Sequence, residues 1–239
     1  MKRFWTEVAI TPARGILLDG RPVRTPGRLP LVLPTDALAA QVAEEWRLVE
    51  GNIDPRAMPM TGLANAAIER VAVDPAAFAQ GLASYAANDL LCYRAEAPPE
   101  LVARQAAAWD PPLAWAQARY DVHFVVVAGI VHHPQPPATL TRVGEAVGAL
   151  DPFALAACSP ITTLTGSIVL ALAIADDAMT PDEAWAAATV DETWQAERWG
   201  EDAQAAALLA TRRQEFDAAV RFVRSARQAA DKADQPRLP

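Results

Sequence analysis

Short apolar runs alternate with turn residues in the first third of the chain, and beyond about residue 50 the apolar spacing becomes helical. In "GILLDGRPVRT", residues 15–25, Asp19 and Gly20 separate two apolar-containing runs. Both residues tolerate positive φ, which a type I′ turn needs at its two central positions, so a hairpin is predicted. With "FWTEVAI" before it and "LPLVLP" after it, an antiparallel meander is expected over residues 4–33. Thr35 or Asp36 then caps a helix to about Val49, in which Leu38, Val42 and Trp46 share one face.

Farther along, Thr61 is expected to cap a helix through Ile68, and Asp74-Pro75 to open one toward Tyr93. Helices are also predicted over Pro99 to Trp109, Pro111 to Tyr120, Thr139 to Leu150, Pro181 to Trp199, and Asp202 to about Arg227. In "DVHFVVVAGIV", residues 121–131, the β-branched run predicts a strand or an extended connection instead. The expected fold class is α+β, with a small β-rich N-terminal domain over residues 1–55 and a larger helical bundle over residues 56–230. A frayed tail is expected over residues 231–239.

One stretch, Pro152 to Ala175, carries no formal charge and is long enough to span a bilayer. Pro160 interrupts it, five Ser and Thr residues dilute it, and acids rather than Lys or Arg flank it at Asp151, Asp176 and Asp177. The expectation is two buried helices broken near Pro160, without membrane insertion. A chain of 239 residues, 52% hydrophobic and 21% charged, builds a globular core. Its net charge of −8 repels a phosphate backbone, so no nucleic-acid partner is expected.

The only lysines are Lys2 and Lys232, which leaves no interior candidate for Schiff-base or P-loop chemistry. Cys92 and Cys158 have no CxxC spacing and are expected as buried free thiols in a reducing compartment. The N-terminus lacks an apolar signal region, so export is not expected. GxGxxG, GxxxxGK[ST], HExxH and GxSxG are all absent from the sequence. His132 and His133 are adjacent and point apart, and His123 reads as a hydrogen-bonded, partly buried histidine. No metal, cofactor or catalytic residue is assigned.

Helical phase singles out two acids. In "VDETWQAERWGED", residues 190–202, positions seven apart return to nearly the same direction, so Trp185, Glu192 and Trp199 fall on one stripe. Glu192 then sits midway along a Trp/Ala face. Similarly, the stripe Phe78, Leu82, Tyr85 continues through Asp89 to Cys92 and Tyr93. A carboxylate on such a face must be paired, hydrogen-bonded or neutralised. Three readings stay open. The acids form buried ion pairs, with Arg94, Arg104 and Arg119 available; they are the acid and base of a small-molecule hydrolase or isomerase; or Glu192 and its tryptophans form a protein-recognition patch. Trp46, Trp109, Trp115 and Trp185 are expected to pack internally.

Seven blocks then stand in a recognisable order: "LDGRPVRTP" at 18–26, "LAAQVAEEW" at 38–46, "IDPRAMPMTGLANAAIE" at 53–69, "YAANDLLCYRA" at 85–95, "QAAAWDPPLAW" at 105–115, "TGSIVLALAI" at 165–174 and "DETWQAERWG" at 191–200. In this order they resemble the F-type ATP synthase assembly chaperones that escort the α subunit of the catalytic head, a family of alphaproteobacteria and mitochondria. The resemblance implies an ATP-independent assembly factor rather than an enzyme, without cofactor. It implies a small α/β domain followed by an orthogonal helical bundle, and an α-subunit client kept from aggregating until it pairs with the β subunit. By motif position it directs attention to Glu192, with Asp191 as neighbouring alternative, and the recognition patch then takes in Trp194, Gln195 and Trp199. Asp89 and Arg94 are assigned structural polar roles. A bacterial cytoplasmic location is implied, with the mitochondrial matrix for eukaryotic relatives. A monomer is expected, the oligomeric state being otherwise open.

Overall fold

A computed structural model describes residues 2–227, so the tail expected at 231–239 lies outside the described residues. Of the described residues, 2–75, 151–157 and 221–227 form one compact unit, and 76–150 with 158–220 form the other. The first unit thus continues past the expected boundary at residue 55 and recruits two later segments. The α+β class is as the sequence implies: short strands come first, and ten α-helices follow among the described residues.

In the first unit, β1 (Val8–Ile10), β2 (Ile16–Leu18) and β3 (Arg21–Pro22) form an antiparallel sheet in that order. Val8 pairs with Leu18, and Leu18 with Arg21. Asp19 and Gly20 have φ of 46° and 76°, the two positive values the I′ turn requires. The Asp19 carboxylate accepts from the backbone N–H groups of Thr6 and Glu7 at 3.0 and 2.8 Å, which hold its pKa below the ordinary value.

Helix α1 (Asp36–Leu48) packs on this sheet, with Leu38, Val42 and Trp46 buried. Thr35 caps it, accepting from Leu38 N while its hydroxyl donates to the Ser225 carbonyl at 2.6 Å. Helix α2 (Pro59–Ala66) begins two residues before the expected cap at Thr61. Its first N–H groups are satisfied from elsewhere, by the Glu45 carboxylate of α1, which accepts from Met60 N and Thr61 N at 2.7 and 2.8 Å. A cap supplied by another helix leaves no local signature.

The remaining elements are α3 (Pro75–Ala83), β4 (Tyr93–Arg94), α4 (Pro99–Tyr120), β5 (Val127–Ala128), α5 (Pro137–Gly148), α6 (Pro152–Thr165), α7 (Ile168–Ala175), α8 (Pro181–Ala188), α9 (Val190–Trp199) and α10 (Ala203–Arg227); all belong to the second unit except the first turns of α6 and the last turns of α10, which are the two later segments of the first. Four expectations need correction. The two helices expected across residues 99–120 are one, with Pro111 and Pro112 inside it. Burial of Trp109, whose Nε1–H donates to the Ala187 carbonyl at 2.7 Å, outweighs the hydrogen bonds the prolines forfeit. In the uncharged stretch, Pro160 lies inside α6 and the break falls instead at Gly166, whose φ of +69° no side-chain-bearing residue adopts at low cost.

The segment after Pro75 stops as an α-helix at Ala83, and Asp89 has extended geometry with ψ of 132°. Finally, the single helix expected from Pro181 to Trp199 breaks at Thr189, where φ and ψ are −119° and 21° and the hydroxyl donates back to the Trp185 carbonyl. Among the described residues no helix is long and apolar enough to cross a membrane. Cys92 and Cys158 are both buried and are not joined in a disulfide.

Candidate functional site

The break at Thr189 resets helical phase, which overturns the seven-residue stripe. Trp185 is buried, Glu192 is exposed, and Trp199 is 75% exposed. Glu192 therefore does not lie on a desolvated face. Its Oε1 stands 3.8 Å from Arg212 Nη1 of α10, beyond hydrogen-bond reach, and Arg212 Nη2 donates to the Leu164 carbonyl at the end of α6 at 2.6 Å.

Trp194 is the side chain by which α9 is buried. Arg104 of α4 lies 4.9 Å from its ring centroid and pairs with Glu197 at 2.6 Å. The next residue, Gln105, is 2% exposed and bridges two elements: its Oε1 accepts from Ala95 N and its Nε2 donates to Asp191 Oδ1, both at 2.7 Å. The inward side of α9 is thus gripped by α4. Its outward side carries Glu192, Gln195 and Trp199.

Two cavities flank this ridge. One, of 910 Å³, is lined by the β4 strand and its continuation to Pro98, by Ile130, and by Trp194, Arg198 and Trp199. The other, of 500 Å³, is lined by residues 163–166, Trp109, Glu192 and Arg212. Leu90, Asp191 and Gln195 line both. The structure therefore brings Asp191, Glu192, Trp194, Gln195 and Trp199 together on one helix. Ile130 adds an apolar side chain that is 97% exposed.

Asp89 belongs elsewhere. It is fully buried and lines neither cavity, so it forms no acid/base pair with Glu192 across them. Nor does an arginine neutralise it. Its Oδ1 accepts from Leu91 N at 3.1 Å, and its Oδ2 accepts from Ser167 Oγ and Val169 N at 3.0 and 3.1 Å. Those last donors are at the N-terminus of α7, where the helix dipole also favours a carboxylate. Arg94, assigned a structural polar role, pairs with Asp110 at 2.7 Å and stacks 5.1 Å from the Trp109 ring centroid. Arg119 pairs with Asp176.

His123 is exposed rather than partly buried, 3.3 Å from Asp121, and His132 Nδ1 meets the Tyr93 hydroxyl at 3.2 Å. Among the described residues no three His, Cys, Asp or Glu side chains cluster as metal ligands do. Gln105 and Arg212 escaped the sequence reading. The first was detectable, because Gln105, Trp109, Pro112 and Ala116 form one buried line at helical spacing and Gln105 is the polar member. Arg212 carries no such mark.

Comparison with known proteins identifies the family. Residues 2–117 match the family model of the ATP12 chaperone protein. Protein atp12, mitochondrial, of Schizosaccharomyces pombe is 26% identical over 214 residues, covering 83% of this chain and 74% of that protein. The solved structure of Atp12 from Paracoccus denitrificans is 42% identical with a TM-score of 0.88, and covers 95% of this chain and 98% of that one. A point mutant of the same protein gives 43% and 0.89 over the same shares. The Atu1473 protein of Agrobacterium tumefaciens gives 41% and 0.87, covering 94% of this chain and 85% of that one. With sequence identity above two fifths sustained over nearly the whole length of solved relatives, the chain belongs to the ATP12 chaperone family.

Proposed function

We propose that this chaperone serves assembly of the F-type ATP synthase by holding the α subunit of the catalytic head, without ATP, until the β subunit replaces it. The observation that carries the reading is the α9 ridge, where Trp199 and Ile130 stand exposed around an open cavity while Gln105 and Arg104 fix the helix beneath them. Large apolar side chains held rigidly in solvent lose little entropy on contact, and the flanking charges disfavour a partner that leaves them unpaired. Trp199 serves as apolar anchor in this reading, Glu192 and Asp191 give orientation, and Trp194 and Gln195 support them. The α-subunit identity and ATP independence follow the order of the sequence blocks, and the bacterial cytoplasm is the compartment that fits the alphaproteobacterial relatives. The family assignment and the position of Asp89, away from both cavities, favour a non-enzymatic role.

The test is aggregation of purified α subunit, read by light scattering with and without this protein. Trp199→Ala is expected to weaken retention of the α subunit about tenfold, and Glu192→Gln less. Both side chains are exposed, so neither change should lower the protein's thermal midpoint. An α subunit that aggregates equally in the presence of the unaltered protein would remove the reading.

A further inference from the structure

The short strand β5 has one bare edge. In a parallel pair, alternate residues of a strand turn both backbone groups to the same side. Gly129 donates its N–H to the Arg94 carbonyl at 2.8 Å, and Val127 and Ala128 stand in register with Tyr93 and Arg94. Val127 and Gly129 therefore serve β4, whereas Val126 and Ala128 direct their N–H and C=O groups away from it.

Elsewhere the pair is closed by side-chain amides. Gln105 accepts from Ala95 N at the far edge of β4, and Gln135 both accepts from Val125 N and donates to the Val125 carbonyl, at 2.8 and 2.9 Å. Nothing equivalent covers Val126 and Ala128, which make no hydrogen bond among the described residues. Both are exposed, and two residues on, Ile130 lines the larger cavity together with Trp199. The same cavity presents Glu96 and Asp191, neither of which has an ion-pair partner among the described residues. Its arginines are engaged, Arg94 with Asp110 and Arg198 over the Trp194 ring.

We propose that this edge receives an extended segment of the client by strand addition, apolar and β-branched along Val126 and Ala128, with a basic residue directed at Glu96 and Asp191. The inference rests on the α-subunit reading above and specifies how that client is held. An extended chain is the partner whose own N–H and C=O groups repeat at the spacing this edge offers. A side-chain-only contact would leave them to water. Because β5 has two residues, strand addition sets register and direction, while apolar cover on Ile130 and Trp199 supplies most of the area. The shortness of the edge also limits self-association of the free chaperone.

Residue-resolved amide exchange on the full chain, alone and with purified α subunit, decides the matter. Alone, Val127 and Gly129 should exchange slowly and Val126 and Ala128 rapidly. In the co-eluting complex, the Val126 and Ala128 amides are expected to slow by about tenfold or more. Val126→Pro, which removes one outward N–H, should weaken retention about tenfold, while Val126→Thr should leave it within about twofold. Should Val126→Pro fail to fold, exchange in the unaltered chain decides alone. Co-elution with unchanged Val126 and Ala128 rates overturns strand addition and leaves the client reading standing; absence of co-elution overturns both.

Discussion

Asp89→Ala is expected to cost about 3–5 kcal/mol of folding free energy, because it orphans two buried N–H groups and a hydroxyl at about 1–3 kcal/mol per group, moderated by rotation of the hydroxyl. The groups are Leu91 N, Val169 N and Ser167 Oγ, and the last also caps α7 by accepting from Leu170 N at 3.1 Å. All eight residues of α7 are buried, so water cannot readily replace the lost acceptor. Asp89→Asn, which keeps shape and one acceptor, should cost about half as much. Urea unfolding at unchanged m-value measures both, and a loss below about 1 kcal/mol for the alanine variant would refute the capping role.

The same carboxyl gives a pH signature. Burial outweighs its hydrogen-bond donors and pushes its pKa from 3.8 up to about 6. The folded state therefore binds this proton more tightly than the unfolded state. Its contribution is fully present below the unfolded value near 3.8 and is lost as pH rises through about 6. The difference in stability between the unaltered protein and Asp89→Asn should fall across that window by up to about 3 kcal/mol. A difference that stays flat from about pH 4 to 7 would contradict the assignment.

The second large effect is expected at Gln105. Gln105→Leu fits the buried line on α4 but removes the acceptor for Ala95 N and the donor to Asp191. It should lower stability by about 2–3 kcal/mol and weaken α-subunit retention about tenfold. Gln105→Glu separates the two roles. It keeps an acceptor for Ala95 while setting a carboxylate against Asp191, so β4 should remain protected from exchange while the α9 amides accelerate. Equal protection of α9 in both variants would show that Trp194 and the Arg104–Glu197 pair suffice to hold it.

Much of the fold was legible where its causes are local. Asp19-Gly20 set the hairpin, Thr35 the first cap and Asp202 the last, accepting from Gln204 N and Ala205 N. Legibility failed where packing from a distance outvoted local propensity. Pro111, Pro112 and Pro160 read as breaks and are helix interior, while the actual break at Thr189 has no proline. Because of that break, Glu192 does not occupy the buried face its spacing predicts. Asp89 is the buried acid its spacing predicts, but of the open readings the arginine pair does not apply: its distant donors are Ser167 and Val169 at the start of α7, 78 and 80 residues away. The order of the sequence blocks directs attention to α9 without any structural signal. Its support, Gln105, needed the same test of a polar residue on an apolar line applied to α4.

The helix break at Thr189 also sets how α9 can move. Because α8 and α9 are separate helices, α9 can lift without unwinding α8. What opposes that is the Trp194 ring beneath Arg104, the amide bridge from Gln105 to Asp191, and two partly exposed charge pairs, Arg104 with Glu197 and Arg212 with Glu192. An opening that costs a few kcal/mol leaves of the order of 1% of molecules with α9 detached at any instant. The ridge is then a minor-state reservoir as well as a rigid anchor. A client that binds the lifted form would see its affinity reduced by that fraction, and one that binds the seated form would lock the helix down.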